Sequence, residues 1–208
     1  HCCQTLVKLV KYMNIMDINS KLFLKINSPV GKSKLLDNFG RAGAEWVFIG
    51  MVGWYFTGSL VSGLPDKSKA ILPLVFLGGA WLVGWLINLG LALAVREPRP
   101  FVTYPQIKVL FKPLMSWRSF PSDHSMAVFT IVFTAYIFHL PSAWALVPMA
   151  LWVVWGRIYS GVHYPLDILG GMGVAGFVAA IANPLSKIIL IFTSSKSTLI
   201  VPVTVITS

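Results

Sequence analysis

The chain has 208 residues, 56% of them hydrophobic and 12% charged, where an ordinary soluble domain is about a quarter charged. Its 17 basic and 7 acidic side chains are too few to coat a protein of this size, so apolar surface is expected to face lipid. That balance argues against a nucleic-acid partner, and the net charge of +10 points to anionic headgroups, an anionic substrate, or both. Cys2 and Cys3 are adjacent, so no disulfide framework joins distant segments. Because the chain opens with His1, a processed, tagged or truncated form is expected.

In chain order, residues 4–28 mix Leu, Ile, Val and Met with Lys8, Lys11, Asp17, Lys21 and Lys25. No uncharged run long enough to span exists there, and the pattern predicts an amphipathic helix lying in the interface. The polar, Gly- and Pro-marked segment from Ser28 to Arg41 reads as a connection. Five apolar stretches follow, near 44–64, 70–95, 122–140, 142–160 and 166–192, each about the length of a membrane span. The prediction is an all-α polytopic bundle with about five transmembrane helices. It divides into an N-terminal segment (1–42), a membrane catalytic domain (43–192) and a Thr/Val/Ile-rich, β-prone tail (193–208). Trp46, Trp54, Trp81, Trp85, Trp144, Trp152 and Trp155 lie in the spans and are expected chiefly to pack; Gly170, Gly171, Gly173 and Gly176 are expected to allow close helix approach.

Alternation of the spans puts the long loop 96–121 and the short loop 161–165 on one membrane face. Three polar clusters gather there: Arg96-Glu97-Pro98-Arg99-Pro100, Pro121-Ser122-Asp123-His124, and Gly156-Arg157 with His163 and Asp167. A lone histidine at a span end is usually a packing residue. Two histidines, two arginines and a carboxylate on one face instead suggest a site. His163 and Asp167, four residues apart, share one side of a helical turn, so the carboxylate can orient the imidazole, cap the following helix, or both. Ser122 opens a helix whose N–H groups suit an anion, and Arg99 and Arg157 offer forks matched to phosphate. His124 is placed to donate a proton to a leaving oxygen. No carboxylate cluster suits magnesium, so neither metal nor other cofactor is expected.

These clusters resemble the three signature motifs of the type 2 phosphatidic acid phosphatase family, within the acid phosphatase and vanadium haloperoxidase superfamily. The motifs are Lys, six residues, Arg-Pro; Pro-Ser-Gly-His; and Ser-Arg, five residues, His, three residues, Asp. The resemblance covers Ala92 to Asp167, and flanking text, including Leu22 to Asn27 and Leu36-Asp37, is similar to small bacterial lipid phosphatases. It implies that His163 is the nucleophile forming a phosphohistidine, oriented by Asp167, and that His124 is the general acid. Arg99, Arg157, Ser122 and the backbone N–H of Asp123 would hold the phosphoryl oxygens. Three positions depart from the pattern: Ala92 stands where the family has lysine, Asp123 replaces glycine and Gly156 replaces serine. Arg96 lies close to the missing lysine, but its spacing does not match.

The expected function is a membrane lipid phosphatase. Its substrates are an isoprenoid diphosphate, phosphatidylglycerol phosphate, phosphatidic acid or a lipid A phosphate. A lipid phosphotransferase would use the same residues, and a transporter using intramembrane charges is the non-enzymatic alternative. Lys108, Lys112 and Arg118 would reach a second phosphate or, more simply, remain solvated. Thirteen of the 17 basic residues fall on the site face, which the positive-inside rule would call cytoplasmic. The resemblance instead implies the bacterial inner membrane with the site on its outer face.

Overall fold

The structure is a computed structural model that describes residues 17–64, 67–113, 118–141 and 143–197, without the side chains of 67–69 and 191–197. All regular structure among the described residues is helical. Helix α1 covers 17–27, followed by α2 (Lys34–Glu45), α3 (Val47–Ser62), α4 (Lys67–Val95), the single turn α5 (Pro100–Thr103) and α6 (Asp123–Ile137). A 3-10 turn (Ala143–Ala145) leads into α7 (Leu146–Tyr159), and α8 (Pro165–Ser197) closes the bundle.

Helix α6 is the axis of the fold. Ten of its 15 residues are buried, from Ser125 to Ala135, as expected of a helix that is apolar on all sides. It packs against α3, α4, α7 and α8. Its interior hydroxyls bond within the helix: Thr130 Oγ1 donates to the Met126 carbonyl and Thr134 Oγ1 to the Thr130 carbonyl, so neither is left unsatisfied in an apolar setting. The outward faces of α3, α4 and α8 expose Ile49, Val75, Leu82, Leu86, Phe177 and Ile181, the surface a lipid-embedded bundle presents. Helices α4 and α8 are long and apolar enough to cross a membrane; α3, α6 and α7 with its leading turn are shorter apolar helices.

Several expectations change. The segment expected to connect, Ser28–Arg41, contains most of α2, and the proposed boundary at 42/43 falls inside that helix. Ser33 caps α2, its Oγ accepting from the Leu36 N–H, and small residues bury the inner face against α7. A Cβ built on Gly40 would lie 2.4 Å from Tyr159 Cδ1, and one on Gly43 would lie 2.5 Å from Trp152 Cδ1. Glycine therefore marks a close helix crossing here, where the sequence pattern suggested a loop. Four of the seven tryptophans expected to pack, Trp46, Trp54, Trp81 and Trp144, are exposed: the first three cap or lie on the outer helices α3 and α4, and Trp144 lies in the 3-10 turn before α7. At the C-terminal end α8 continues to Ser197, past the start of the expected tail; residues 198–208, like 1–16 of the expected interfacial helix, lie outside the described residues.

Helix α1 is tied to the same end of the bundle as the polar clusters. Its buried Phe23 meets Tyr164 edge-on at 5.3 Å and stacks on Tyr104 at 6.5 Å. Asn19 Oδ1 accepts from the Leu166 N–H in the first turn of α8.

Candidate active site

Each polar cluster is carried to one end of the bundle by a local chain reversal. Helix α4 stops at Val95, and Arg96 turns left-handed at φ 51°, a common way to leave a helix. Pro98 and Pro100 prevent its resumption, and Arg99, in extended backbone, becomes the N-cap of α5. Ser122 caps α6, its Oγ accepting from the Ser125 N–H at 3.3 Å, while its own N–H donates to the Asp167 carbonyl at 3.0 Å. Arg157 lies in the last turn of α7. Gly161, at φ 82°, then makes a turn that L side chains resist and delivers His163 to the start of α8.

Asp167 occupies the third position of α8, and one of its oxygens meets three partners. Oδ2 accepts from the Tyr164 N–H at 2.7 Å, the reciprocal half of a capping box, and lies 3.4 Å from His163 Nδ1. The same oxygen accepts from Ser119 Oγ at 2.5 Å. On the other side of the imidazole, Arg99 Nη1 lies 3.3 Å from His163 Nε2 and donates to the Val162 carbonyl at 3.0 Å. A guanidinium can only donate, so Nε2 accepts and the ring proton belongs on Nδ1, facing Asp167. Burial comes first, and the guanidiniums of Arg99 and Arg157 second, in holding the His163 pKa well below the usual imidazole value. The ring is therefore neutral near pH 7, with its Nε2 lone pair directed towards Arg99.

One cavity of about 290 Å³ is lined by Arg99, Arg118, Asp123, His124, Arg157 and His163, with Phe111, Pro113 and Pro121 completing its wall. Five of the seven residues singled out in the sequence thus share a cavity. Ser122 and Asp167 stand behind it, both fully buried, the first capping α6 and the second backing His163. Arg99 and Arg157 are also buried, yet Nε of each has no hydrogen-bond partner among the described residues. Such unpaired buried donors are rare, and here they belong to side chains that open onto a cavity suited to an anion. Arg157 is held by the Ala44 carbonyl, 3.3 Å from Nη1, and lies 5.4 Å from the Phe111 ring centroid. His124 meets the Phe48 ring edge-on at 6.1 Å.

The departures from the motifs acquire physical reasons. A Cβ at Gly156 would lie 2.7 Å from both the Ala44 nitrogen and the Gly40 carbonyl oxygen. Both are backbone atoms of α2, so a serine would push that helix away. Ala92 is buried. Arg96 does not replace a lysine there: it is exposed, and its Nε donates to the Leu93 carbonyl. Asp123 is paired, with Arg118 Nη2 at 2.5 Å from Oδ2 and Asn88 Nδ2 at 3.1 Å from Oδ1. Lys108 and Lys112 are exposed and off the cavity wall, whereas Arg118 faces into it.

Sequence reasoning gave no role to Ser119 or Phe111. The signals were a hydroxyl immediately before Phe120-Pro121-Ser122 and an aromatic ring amid the basic residues of the long loop. The stretch around Asn27 and the Leu36-Asp37 pair act through position. Asn27 Nδ2 donates to the Lys108 and Tyr159 carbonyls, and Asp37 accepts from the Tyr159 hydroxyl at 2.7 Å. Arg41 donates to the Leu110 carbonyl. These bonds fasten the loop bearing Phe111 onto α1 and α2.

Comparison with known proteins gives a consistent answer. The model of the PAP2 superfamily matches residues 71–188. The undecaprenyl-diphosphatase BcrC of Bacillus subtilis (strain 168) is 33% identical over 163 residues, covering 76% of this chain and 79% of that protein. The bacitracin transport permease protein BcrC of Bacillus licheniformis is 28% identical over 184 residues, covering 88% and 84%. Among solved structures, Aquifex aeolicus LpxE superposes with a TM-score of 0.57 at 26% identity, covering 77% of this chain and 92% of that one.

Proposed function

We propose, from the premise that this chain belongs to the PAP2 superfamily and is a membrane phosphatase, that it hydrolyses a lipid diphosphate of the isoprenoid class through a phosphohistidine on His163. The observation that carries the reading is the His163 imidazole, backed by Asp167 at 3.4 Å and faced by Arg99 at 3.3 Å in a cavity shared with His124. The substrate class rests on the activity named for the B. subtilis relative.

In the proposed reaction, Nε2 of His163 attacks the terminal phosphorus and the bond to the bridging oxygen breaks. His124 gives its proton to that oxygen, which departs on the lipid monophosphate. Arg99, Arg157 and the backbone N–H of Asp123 at the opening of α6 hold the equatorial oxygens, where charge is spread in the transition state. A water then attacks the phosphohistidine, passing its proton to the now neutral His124, and inorganic phosphate leaves with His163 restored. Asp167 holds the Nδ1 proton throughout and stabilises the ring when it carries the phosphoryl group.

The name of the B. licheniformis relative favours transport as a second reading. A transport path needs polar groups available through the bundle. The interior hydroxyls of α6 are spent on carbonyls of their own helix, and the charged side chains lining the cavity gather at one end of the bundle. Hydrolysis therefore accounts for more of the site. The proposed location is the bacterial cell membrane with the site on the outer face, since three of the arginines that bias the charge count line the cavity and are explained by anion binding.

Phosphate release from a lipid diphosphate in chelator, comparing wild type with His163→Ala and His124→Ala, tests this reading. Turnover without added metal and near-complete loss in both variants is the expected result; a His163→Ala enzyme of wild-type rate overturns it.

A further inference from the structure

Helix α4 borders one apolar groove with α3 and α6 and another with α8. The first, of about 280 Å³, has Phe48, Val52, Gly78, Trp81, Ala127 and Ile131 in its wall. The second, of about 330 Å³, includes Phe76, Gly79, Ile181 and Ala182. Aromatic contacts tie the two grooves to opposite ends of α6. Phe48 of the first meets the His124 ring edge-on at 6.1 Å, in the opening turn of α6. Phe76 of the second meets Phe138, the C-cap of α6, edge-on at 5.1 Å. Residues 124 and 138 are separated by roughly 21 Å of helix. The face of α6 makes the same link: His124 lines the polar cavity, while Ala127 and Ile131, spaced to lie below it on one side of the helix, line the first groove.

That continuity decides which groove meets the substrate. In the reaction above, the leaving oxygen takes its proton from His124, and beyond that oxygen lie only the inner phosphate and the lipid chain. The chain therefore starts near His124, where the first groove begins. Val52 and Trp81 are 43% and 45% exposed, so this groove opens to the side, on the surface that meets lipid. A chain gains little hydrophobic energy by leaving the bilayer for a groove that is equally apolar; what it gains is a fixed course, which aims the bond to be broken at His163. We propose that the groove between α3, α4 and α6 holds the isoprenoid chain of the substrate, and that the bare backbone of Gly78 sets the breadth of chain it accepts. The inference rests on the phosphatase reading above.

Two neighbouring glycines supply the test. A Cβ built on Gly78 or on Gly79 meets nothing within 4 Å, yet the first faces the proposed groove and the second the groove beside α8. Gly78 precedes Asn88, the α4 residue bonded to Asp123, by ten residues, or about 15 Å of helix. A chain of four isoprene units reaches that level and a single unit does not. The measurement is the ratio of kcat/KM for geranylgeranyl diphosphate to that for dimethylallyl diphosphate, taken on one detergent preparation and therefore independent of the fraction folded. Gly78→Leu should lower the ratio by about 10- to 100-fold, the scale of a misplaced reacting group, whereas Gly79→Leu should leave it within about twofold. Val52→Trp, which fills the same groove from α3, should reproduce the loss and serves if Gly78→Leu does not fold. An unchanged ratio in Gly78→Leu or Val52→Trp assigns the groove to bulk bilayer lipid and overturns the proposal, as does an equal loss in Gly79→Leu. Failure of the phosphohistidine reading would appear separately, as activity retained in His163→Ala.

Discussion

Helices α4 to α8 and helices α1 to α3 both reach the cavity, but they contribute different things. The first group supplies side chains: Arg99, Arg118, Asp123, His124, Arg157 and His163 all come from it. The second supplies mainly position: a backbone carbonyl at Ala44 for Arg157, an aromatic edge at Phe48 for His124, and the Asn27 and Asp37 bonds that fasten Tyr159 and the long loop. The family match, 71–188, falls almost entirely on the first group. A site can thus be recognisable in one part of a chain while its precision depends on another.

If the division is real, substitutions in the two groups should fail differently. The largest effect is expected in the first: His163→Ala should reduce kcat by on the order of a thousandfold or more with the protein still folded, as when a covalent nucleophile is removed. Ser119→Ala removes a hydrogen bond to the carboxylate behind His163 and should cost roughly tenfold to a hundredfold in kcat with little change in KM, as expected for a bond to a charged group. In the boundary between the groups, Gly156→Ser restores the family residue but forces a Cβ against α2. It should destabilise by about 1–3 kcal/mol through overpacking, seen as a lower thermal midpoint in detergent. Tyr159→Phe, which removes only the hydroxyl bonded to Asp37, should cost about 1 kcal/mol of stability and leave kcat within about twofold. A thousandfold loss of kcat in folded Gly156→Ser or Tyr159→Phe would erase the distinction.

The pH dependence probes the same contrast. The folded state holds His163 neutral below the ordinary imidazole pKa, whereas the unfolded chain takes up a proton there. Stability should therefore be fully present above about pH 6.5 and decline as the pH falls below it. Thermal midpoints measured from pH 7.5 to 5 should show this slope, and His163→Gln should flatten it. An equal slope in the variant would assign the effect to other groups.

The apolar helices were legible in the sequence because their signal is local: the stretches near 44–64, 70–95 and 122–140 correspond to Val47–Ser62, Lys67–Val95 and Asp123–Ile137. The spacing of His163 and Asp167 was legible for the same reason, both falling within one helical turn. Helix α2 was not, because the glycines that let it pack on α7 look like loop residues until Tyr159 and Trp152 are brought against them. Arg118 was indistinguishable from Lys108 and Lys112 in the long loop. What separates it is its pairing with Asp123, whose other oxygen is held by Asn88 across 35 residues of chain. The unusual Asp123 was visible in the sequence as a local oddity, while its compensation depends on tertiary structure.

The relation of Asn88 to Asp123 also fixes the level of α4 against α6. Asn88 is level with the first turn of α6, yet α4 continues to Val95, seven residues or roughly 10 Å farther at the helical rise. Helix α4 therefore rises about two turns past the level of Asp123 before the chain turns back to Arg99. In the proposed reaction a lipid's phosphate is cut at this polar end of the bundle, and the dephosphorylated lipid keeps its hydrocarbon tail. The two products then part by solubility: the lipid can diffuse sideways into the bilayer, and only inorganic phosphate needs a route to water.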